Sequence, residues 1–439
     1  MTLQDEKQKQ QSNVDQLSTI VALVFTVSFF IIFIAGSYFG RGSIEHLLSF
    51  IGNDTPGSFP GSVFPKPIGV HYFGDFLLPR WQSIRSSPWF EQDLTATPIN
   101  NYLPFTMAVF AAFSRIEYWR SFTIFISISV FSVIVPVWLS TPRKDRVRVV
   151  TSLIFLTGPF ISLIDRGNIQ FLMIGILASA LYLFSKGKTR IAAVLLGLGI
   201  ALKGYPIVLL VVWVKARRWL DAAVALITAV SLTLIPLLFY RGGVWRNIFR
   251  ILRNVGVNEK EYAHAALAYN SSLKGFLLSI ASLKVPGLES TSLFLFRHVA
   301  VLSVLIIVLC LFLCLKAAGN VFEVTLLSVV LMTTMVDYAA PYALGLYFLP
   351  LIFFGEWVPS ISEIQKKAIF LCWAIVLAPK GLPLQFWNTE ITSSTPTFTS
   401  LLGGFAGMTI LCILTSSMYK SWRGSGSGTE GFFRQAPSR

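Results

Sequence analysis

The sequence predicts an all-α polytopic membrane protein, and three observations carry the prediction. Of its 439 residues 54% are hydrophobic and 13% charged, whereas about a quarter are charged in an ordinary soluble domain. Mean hydropathy is +0.66. The apolar residues fall in runs of roughly twenty, each long enough for a helix to cross ~30 Å of hydrocarbon. Lipid offers backbone amides no partner outside their own helix, and a closed barrel would alternate polar and apolar residues, which these runs do not do. Soluble enzymes, disordered chains, collagens and nucleic-acid readers are excluded on the same grounds. The net charge of +15 is then a topology signal, because Lys and Arg cluster between apolar runs.

Residues 1–17 are polar and read as a cytoplasmic tail. The first span, 18–39, is too long and too deep in the chain for a cleaved signal peptide. Further spans are expected at 119–140, 149–164, 168–185, 219–240, 293–317, 321–337, 342–356, 367–380 and 400–418, about ten crossings in all, with incomplete apolar segments at 102–115 and 190–214. Three basic loops set the orientation: Arg143, Lys144, Arg146 and Arg148; Lys186, Lys188 and Arg190; Lys215, Arg217 and Arg218. All three belong on the cytoplasmic side. A full crossing by either incomplete segment would move one of them outside, so parity makes both re-entrant. The second contains its own breaker, Lys203-Gly204-Tyr205-Pro206. The membrane domain covers 18–418, and residues 419–439, with Gly-Ser alternation from Gly424, read as a flexible cytoplasmic tail.

Polar stretches at 40–101, 241–292 and 381–399 then collect on the exoplasmic side. The first is rich in Gly, Pro and Ser, turns into a short helix from Phe73 to Ile84, and carries Asp54, Asp75, Glu91 and Asp93. The second opens with Trp245, Ile248, Leu252 and Val255 on one helical face and Arg246, Arg250 and Arg253 on another, which describes a helix lying in the interface. Cys310, Cys314, Cys372 and Cys412 all sit in apolar runs and read as packing residues. No internal repeat of a few tens of residues is visible.

Ionisable groups at membrane depth are functional candidates, since each costs roughly 3 kcal/mol or more to insert. Asp75, in the aromatic setting His71-Tyr72-Phe73-Gly74-Asp75-Phe76, is placed to act as a general base on a hydroxyl, or else to offset a helix dipole. Asp165 and Arg166 precede Gly167-Asn168, where helix-opening amides can take an anion and Arg is a natural phosphate ligand. The alternative is a turn with a self-neutralising pair. Lys203 has no acid anywhere between Ser185 and Leu220. It needs an anion such as a phosphate, unless it snorkels to the surface. Asp337-Tyr338 closes a span. The arginines at 246, 250 and 253 either steer a lipid phosphate or anchor to headgroups. Asn270-Ser271-Ser272 and Asn53-Asp54-Thr55 fit the N-glycosylation pattern, which carries meaning only in a host that glycosylates such sites. His46, His71, His264 and His298 are scattered, and no cluster has metal-ligand spacing.

Together these residues resemble the polytopic C-type glycosyltransferases that use a polyprenyl-phosphate sugar, above all the mannosyltransferase-like glycosyltransferase family eighty-seven, with a more distant likeness to the first mannosyltransferase of glycosylphosphatidylinositol-anchor assembly. The run from Gly158 to Ala222 is similar to the family's short "GQ-N" or "RGN" signature, helix, small basic loop, Gly-rich helix and "K-x-x-P", ending in a basic stretch with Trp. Asp75, then Ser87-Pro88-Trp89 and Asn101-Tyr102-Leu103-Pro104, looks like the family's loop Asp, "G-x-x-Y" stretch and "Y-x-P-P" opening, with Phe105 in place of the second proline. Tyr269-Asn270-Ser271-Ser272 is similar to a later "N-x-S" element. The likeness extends from Asp75 to about Pro350. The family often has a histidine where this chain reads Asp337-Tyr338-Ala339-Ala340-Pro341-Tyr342.

The resemblance implies a metal-free, inverting transfer of a hexose, mannose being the commonest, from a polyprenyl-phosphate donor to a hydroxyl of a lipid or glycan acceptor. It places the reaction on the exoplasmic side, in a bacterial plasma membrane, without a cofactor or a nucleic-acid partner. Asp75 would be the base, and Asp337, Tyr338 or Tyr342 would fill the second catalytic role. Lys203, Arg166, Asn168 and Arg250 would hold the donor phosphate, while Asp165, Tyr102, Asn270 and Ser271 would meet donor or acceptor sugar. The competing classes are a transporter or flippase of a lipid-linked or anionic substrate, against which stand the absence of repeated halves and the long 40–101 loop, and a non-catalytic scaffold, which leaves Lys203 without a purpose.

Overall fold

Hydrocarbon makes helices of the apolar runs, and polar or proline caps decide where each begins. The computed structural model describes residues 3–39, 74–89, 100–265, 270–285, 287–317, 319–356, 361–381, 384 and 396–424. In chain order the helices are α1 (Leu3–Phe39), α2 (Gly74–Ser83), α3 (Pro104–Ser114), α4 (Tyr118–Ser140), α5 (Arg146–Val150), α6 (Gly158–Arg166), α7 (Ile169–Ser185), α8 (Thr189–Leu202), α9 (Leu210–Lys215), α10 (Trp219–Leu237), α11 (Val244–Ala265), α12 (Leu273–Ser282), α13 (Leu288–Arg297), α14 (Val299–Lys316), α15 (Val321–Thr334), a 3-10 helix (Pro341–Glu356), α16 (Glu363–Leu377) and α17 (Phe398–Gly424). Glu117 caps α4 by accepting from the Trp119 and Arg120 amides, and those bonds hold its carboxyl below the usual range. Ser362 and Gln365 form a capping box on α16.

Five helices are each long and apolar enough to cross a membrane: Ser12–Ile31, Tyr118–Ser140, Trp219–Leu237, Val299–Lys316 and Phe398–Arg423. Several of the other expected crossings are shorter or broken. The one at 149–164 is a pair of helices, Arg143–Phe155 and Gly158–Arg166, bent by 63°. The one at 342–356 is the 3-10 helix of 16 residues, whose rise of ~2.0 Å per residue carries it about 32 Å, where an α-helix of that length would reach about 24 Å. The N-terminal stretch is helical from Leu3. Asn13, Val14 and Leu17 are buried, and Asn13 Oδ1 accepts from Lys366 Nζ of α16 at 3.1 Å.

Of the two incomplete segments the second folds back on itself, whereas the first is the single unbroken helix α3 of 11 residues. The chain climbs α8, turns at Lys203-Gly204-Tyr205-Pro206, and descends through α9, so that Trp213 Nε1 meets the Thr189 carbonyl at 3.5 Å and Arg190 pairs with Asp221 at 3.0 Å. The second and third basic loops therefore share one end of the bundle. In α3, Thr106 Oγ1 donates to the Leu202 carbonyl at 2.6 Å, while Arg80 of α2 donates to the Phe113 and Ile116 carbonyls beyond its other half. The start of α3 is thus tied to the end of α8, and its last turn to α2. Helices α4 and α7 start near α2 and run side by side to the basic end, where Arg148 pairs with Asp15 of α1.

The core lies along α7 and the 3-10 helix, where Met173, Leu177, Leu346 and Phe348 are fully buried. Close helix contacts rest on small residues. A Cβ on Gly175 would lie 1.7 Å from Ser132 Oγ of α4, and one on Gly197 of α8 would lie 2.4 Å from the Ala225 carbonyl oxygen of α10. Apolar side chains that remain exposed, such as Phe131, Ile227, Val304 and Val308, are on the long helices, where lipid would meet them.

Candidate active site

The site is built on α2. Its buried Phe76 sits in an aromatic nest with Phe125 at 5.0 Å, Phe122 at 5.5 Å and Phe110 at 5.9 Å between ring centroids. That packing fixes the first turn of the helix, and with it Asp75. Asp75 Oδ2 accepts a 2.8 Å hydrogen bond from Asn168 Nδ2 and lies 3.6 Å from Arg166 Nη1. Both contacts fall on Oδ2, and Oδ1 has no partner among the described residues.

Asn168 and Arg166 reach Asp75 because only Gly167 and Asn168 separate α6 from α7. Gly167 takes φ +61°, a left-handed conformation that glycine adopts without strain, and lets the chain pass straight from one helix into the next. Asn168 then caps α7, its Oδ1 accepting from the Gln170 amide at 2.9 Å. The side-chain amide of Asn168 is thereby used at both ends: it holds Asp75 and closes the helix, so its capping oxygen and the Gln170 backbone amide are already paired. Asp165, one residue before Arg166, is buried.

Lys203 ends α8 in an extended conformation and points inward. Its Nζ reaches Gln170 Oε1 at 3.5 Å and lies 5.9 Å from the centre of the Tyr102 ring and 5.6 Å from that of Tyr342. Arg166 lies over the same Tyr342 ring at 5.5 Å. Cations within about 6 Å of an aromatic face are held by its quadrupole, so Tyr342, at the start of the 3-10 helix, draws the two positive groups together. Asp75 acts on Lys203 electrostatically as well. Snorkelling does not describe this lysine.

The remaining expected residues lie elsewhere or are engaged. Asp337 pairs with Lys274 at 3.3 Å, and its carbonyl accepts from Asn270 Nδ2 at 2.9 Å and Ser272 Oγ at 3.3 Å. Asn270 Oδ1 accepts from the Ala339 and Ser272 amides, and Ser271 bonds through its own amide to Ala339 O and through Oγ to Thr399 O. Asn270 and Ser271 are buried and stitch the start of α12 to the 337–339 turn; the folded chain offers no room for a glycan at Asn270. Tyr338 lies in that turn. Arg250 lines a separate shallow cavity with Arg246, Phe249 and Arg253 on α11. The apolar residues of α11 do not share one face: Ile248 and Val255 pack toward Trp89 and Met107, while Trp245, Phe249 and Leu252 are exposed. Asp54, Glu91, Asp93, His46, His71, Tyr269 and the Asn53 sequon lie outside the described residues, as does the side chain of His264.

Two residues of the cluster escape sequence reasoning. Gln170 is buried, and its Nε2 has no hydrogen-bond partner among the described residues; the same holds for the buried Tyr205 hydroxyl. A signal for Gln170 exists, since it is the lone amide in the apolar body of α7. For Tyr205 there is only its place inside the breaker.

The fold and the cluster define a multi-pass membrane protein with a carboxylate and two cations gathered at the end of the bundle opposite its basic loops. Residues 101–336 match the model of glycosyltransferase family 87. That is more than half of the chain, which belongs to this family and is a membrane glycosyltransferase. No curated protein matches it. The matched region includes Tyr102, Asp165, Arg166, Asn168, Lys203, Arg250, Asn270 and Ser271; Asp75, Asp337, Tyr338 and Tyr342 lie outside it.

Proposed function

We propose that this glycosyltransferase moves a hexose, mannose by family likeness, from a polyprenyl-phosphate donor to a hydroxyl of a lipid or glycan acceptor, with inversion, on the exoplasmic face of a bacterial plasma membrane. The observation that carries the reading is the meeting of Asp75, Arg166 and Lys203 around Asn168 and Tyr342. Three segments distant in sequence converge on a partly buried centre where charge interactions are strong. The positive-inside rule supports the orientation, since the basic loops occupy the opposite end.

In this reading the acceptor oxygen attacks the anomeric carbon, its proton passes to Asp75 Oδ1, and the bond from that carbon to the phosphate oxygen breaks on the opposite face. Polyprenyl phosphate leaves with the electron pair. Lys203 and Arg166 take up the charge that develops on it, which lowers the barrier where it matters. Asn168 orients Asp75 and does not itself bind phosphate. Tyr342 is the better candidate for the second polar role, because Asp337 is paired with Lys274. Asp165 and Tyr102 line the sugar side. Arg250, on the outer face of α11, meets lipid phosphates before they reach the centre.

The test is sugar transfer by purified protein in nanodiscs with polyprenyl-phosphate mannose and a lipid acceptor. Wild type should release free polyprenyl phosphate, whereas Asp75→Asn should bind donor and release none. Turnover retained in Asp75→Asn removes the base, and a wild type that consumes no donor removes the donor class.

A further inference from the structure

Resting on the donor reading above, we infer that Gln170 and Tyr205 complete the phosphate site, Gln170 donating from Nε2 and Tyr205 from its hydroxyl to the oxyanion that Lys203 binds. Gln170 sits on the first turn of α7, two residues past its cap, and its Oε1 is already oriented by the Lys203 ammonium at 3.5 Å. The two halves of an amide are about 2.2 Å apart, so fixing Oε1 leaves Nε2 beside the space that an anion on Lys203 would occupy. Tyr205 is the second residue after Lys203 and begins the 3-10 turn Tyr205–Leu209. Its hydroxyl lies within electrostatic reach of Tyr342, the ring that Lys203 and Arg166 share.

Neither polar group has a hydrogen-bond partner among the described residues, and both are buried. Most buried donors in folded proteins are paired, and an unpaired one is destabilising. Two such groups, one on a side chain whose other end meets the half-buried Lys203 and one on a residue two positions along the chain from it, fit a site kept ready for a ligand at the expense of stability. The ligand must accept hydrogen bonds and bear negative charge, which a phosphate monoanion or dianion does.

That origin has a signature a structural residue would not show. Tyr205→Phe removes only a hydroxyl without a partner among the described residues, so it should not lower the melting temperature; Gln170→Met removes Nε2 together with the Oε1 that accepts from Lys203, so its melting temperature is compared with that of Lys203→Met, which loses the same bond. Binding of decaprenyl monophosphate, which carries no sugar, to the full chain in nanodiscs should weaken about tenfold to a hundredfold for Gln170→Met, the range of a hydrogen bond to a charged group, and about tenfold for Tyr205→Phe. Should Gln170→Met fold poorly, Gln170→Glu keeps an oxygen for Lys203 and must drive phosphate binding below detection. Wild-type affinity in these variants overturns the inference, as does a lowered melting temperature with affinity intact. Weakened binding of decaprenyl-phosphate mannose alone, with the sugar-free lipid unaffected, also overturns it, because the groups would then read sugar. If wild type binds neither lipid, the donor reading itself falls; loss in Lys203→Met with no loss at 170 or 205 sinks only this inference.

Discussion

Replacing Asn168 separates two jobs that one amide performs. Its Oδ1 caps α7 at 2.9 Å from the Gln170 amide, and its Nδ2 holds Asp75 at 2.8 Å. Serine keeps a capping oxygen but is too short to reach Asp75, and alanine removes both contacts. A hydrogen bond to a charged acceptor is worth about 1.5–3 kcal/mol, and at ~1.4 kcal/mol per factor of ten that amounts to roughly ten- to a hundredfold in turnover if the bond aligns the base. The lost cap in Asn168→Ala takes away about 1 kcal/mol of helix stability in addition. Transfer rates in nanodiscs and thermal unfolding of the same samples separate the two. Asn168→Ser should melt above Asn168→Ala by the retained cap and turn over ten- to a hundredfold more slowly than wild type, and Asn168→Ala should lose further in melting. Wild-type turnover in Asn168→Ser would refute the claim that Asn168 aligns Asp75. A melting loss in the serine variant as large as that in the alanine variant would refute the capping role.

Other perturbations follow from the same geometry. Lys203→Met should weaken binding of decaprenyl monophosphate by about tenfold or more, read by titration in nanodiscs, and unchanged affinity would dissociate Lys203 from the phosphate. Asn270→Ala strands the Ala339 amide and removes a bond to the Asp337 carbonyl; at ~1–3 kcal/mol per buried group left unpaired, it should lower the melting temperature clearly. Gly197→Val drives a Cβ to 2.4 Å from the Ala225 carbonyl oxygen, a backbone atom that cannot swing aside, so α8 and α10 must separate and the variant should fail to elute as a single species in detergent.

Part of the site can be read in the chain itself. The α2 helix falls within one residue of its expected start and end, because an acid following Gly74 and a polar end at Ser83 mark it locally. Lys203 stands out because no acid accompanies it over more than thirty residues of apolar sequence, and a cation in hydrocarbon requires a partner. Asn168 also stands out, but for a different role: next to Arg166 it looks like an anion site, and its amide is instead divided between the helix cap and Asp75. Asn270 and Ser271 look like sugar ligands and serve as stitching, since a buried Asn finds backbone partners wherever a turn passes close enough. That the 337–339 turn passes there is not written in either segment alone.

Membrane residence, helical class and the turning back of 190–214 were determined by sequence alone. Each depends on whether a segment prefers hydrocarbon or water, a property summed over neighbouring residues. Tertiary structure decided the 63° bend before Arg166, the extended 3-10 path that carries Tyr342, and the convergence of Asp75 with Asn168 and of Gln170 with Lys203. Those depend on how helices cross and where they break. Close packing settles such matters between residues tens of positions apart, beyond the reach of any local pattern.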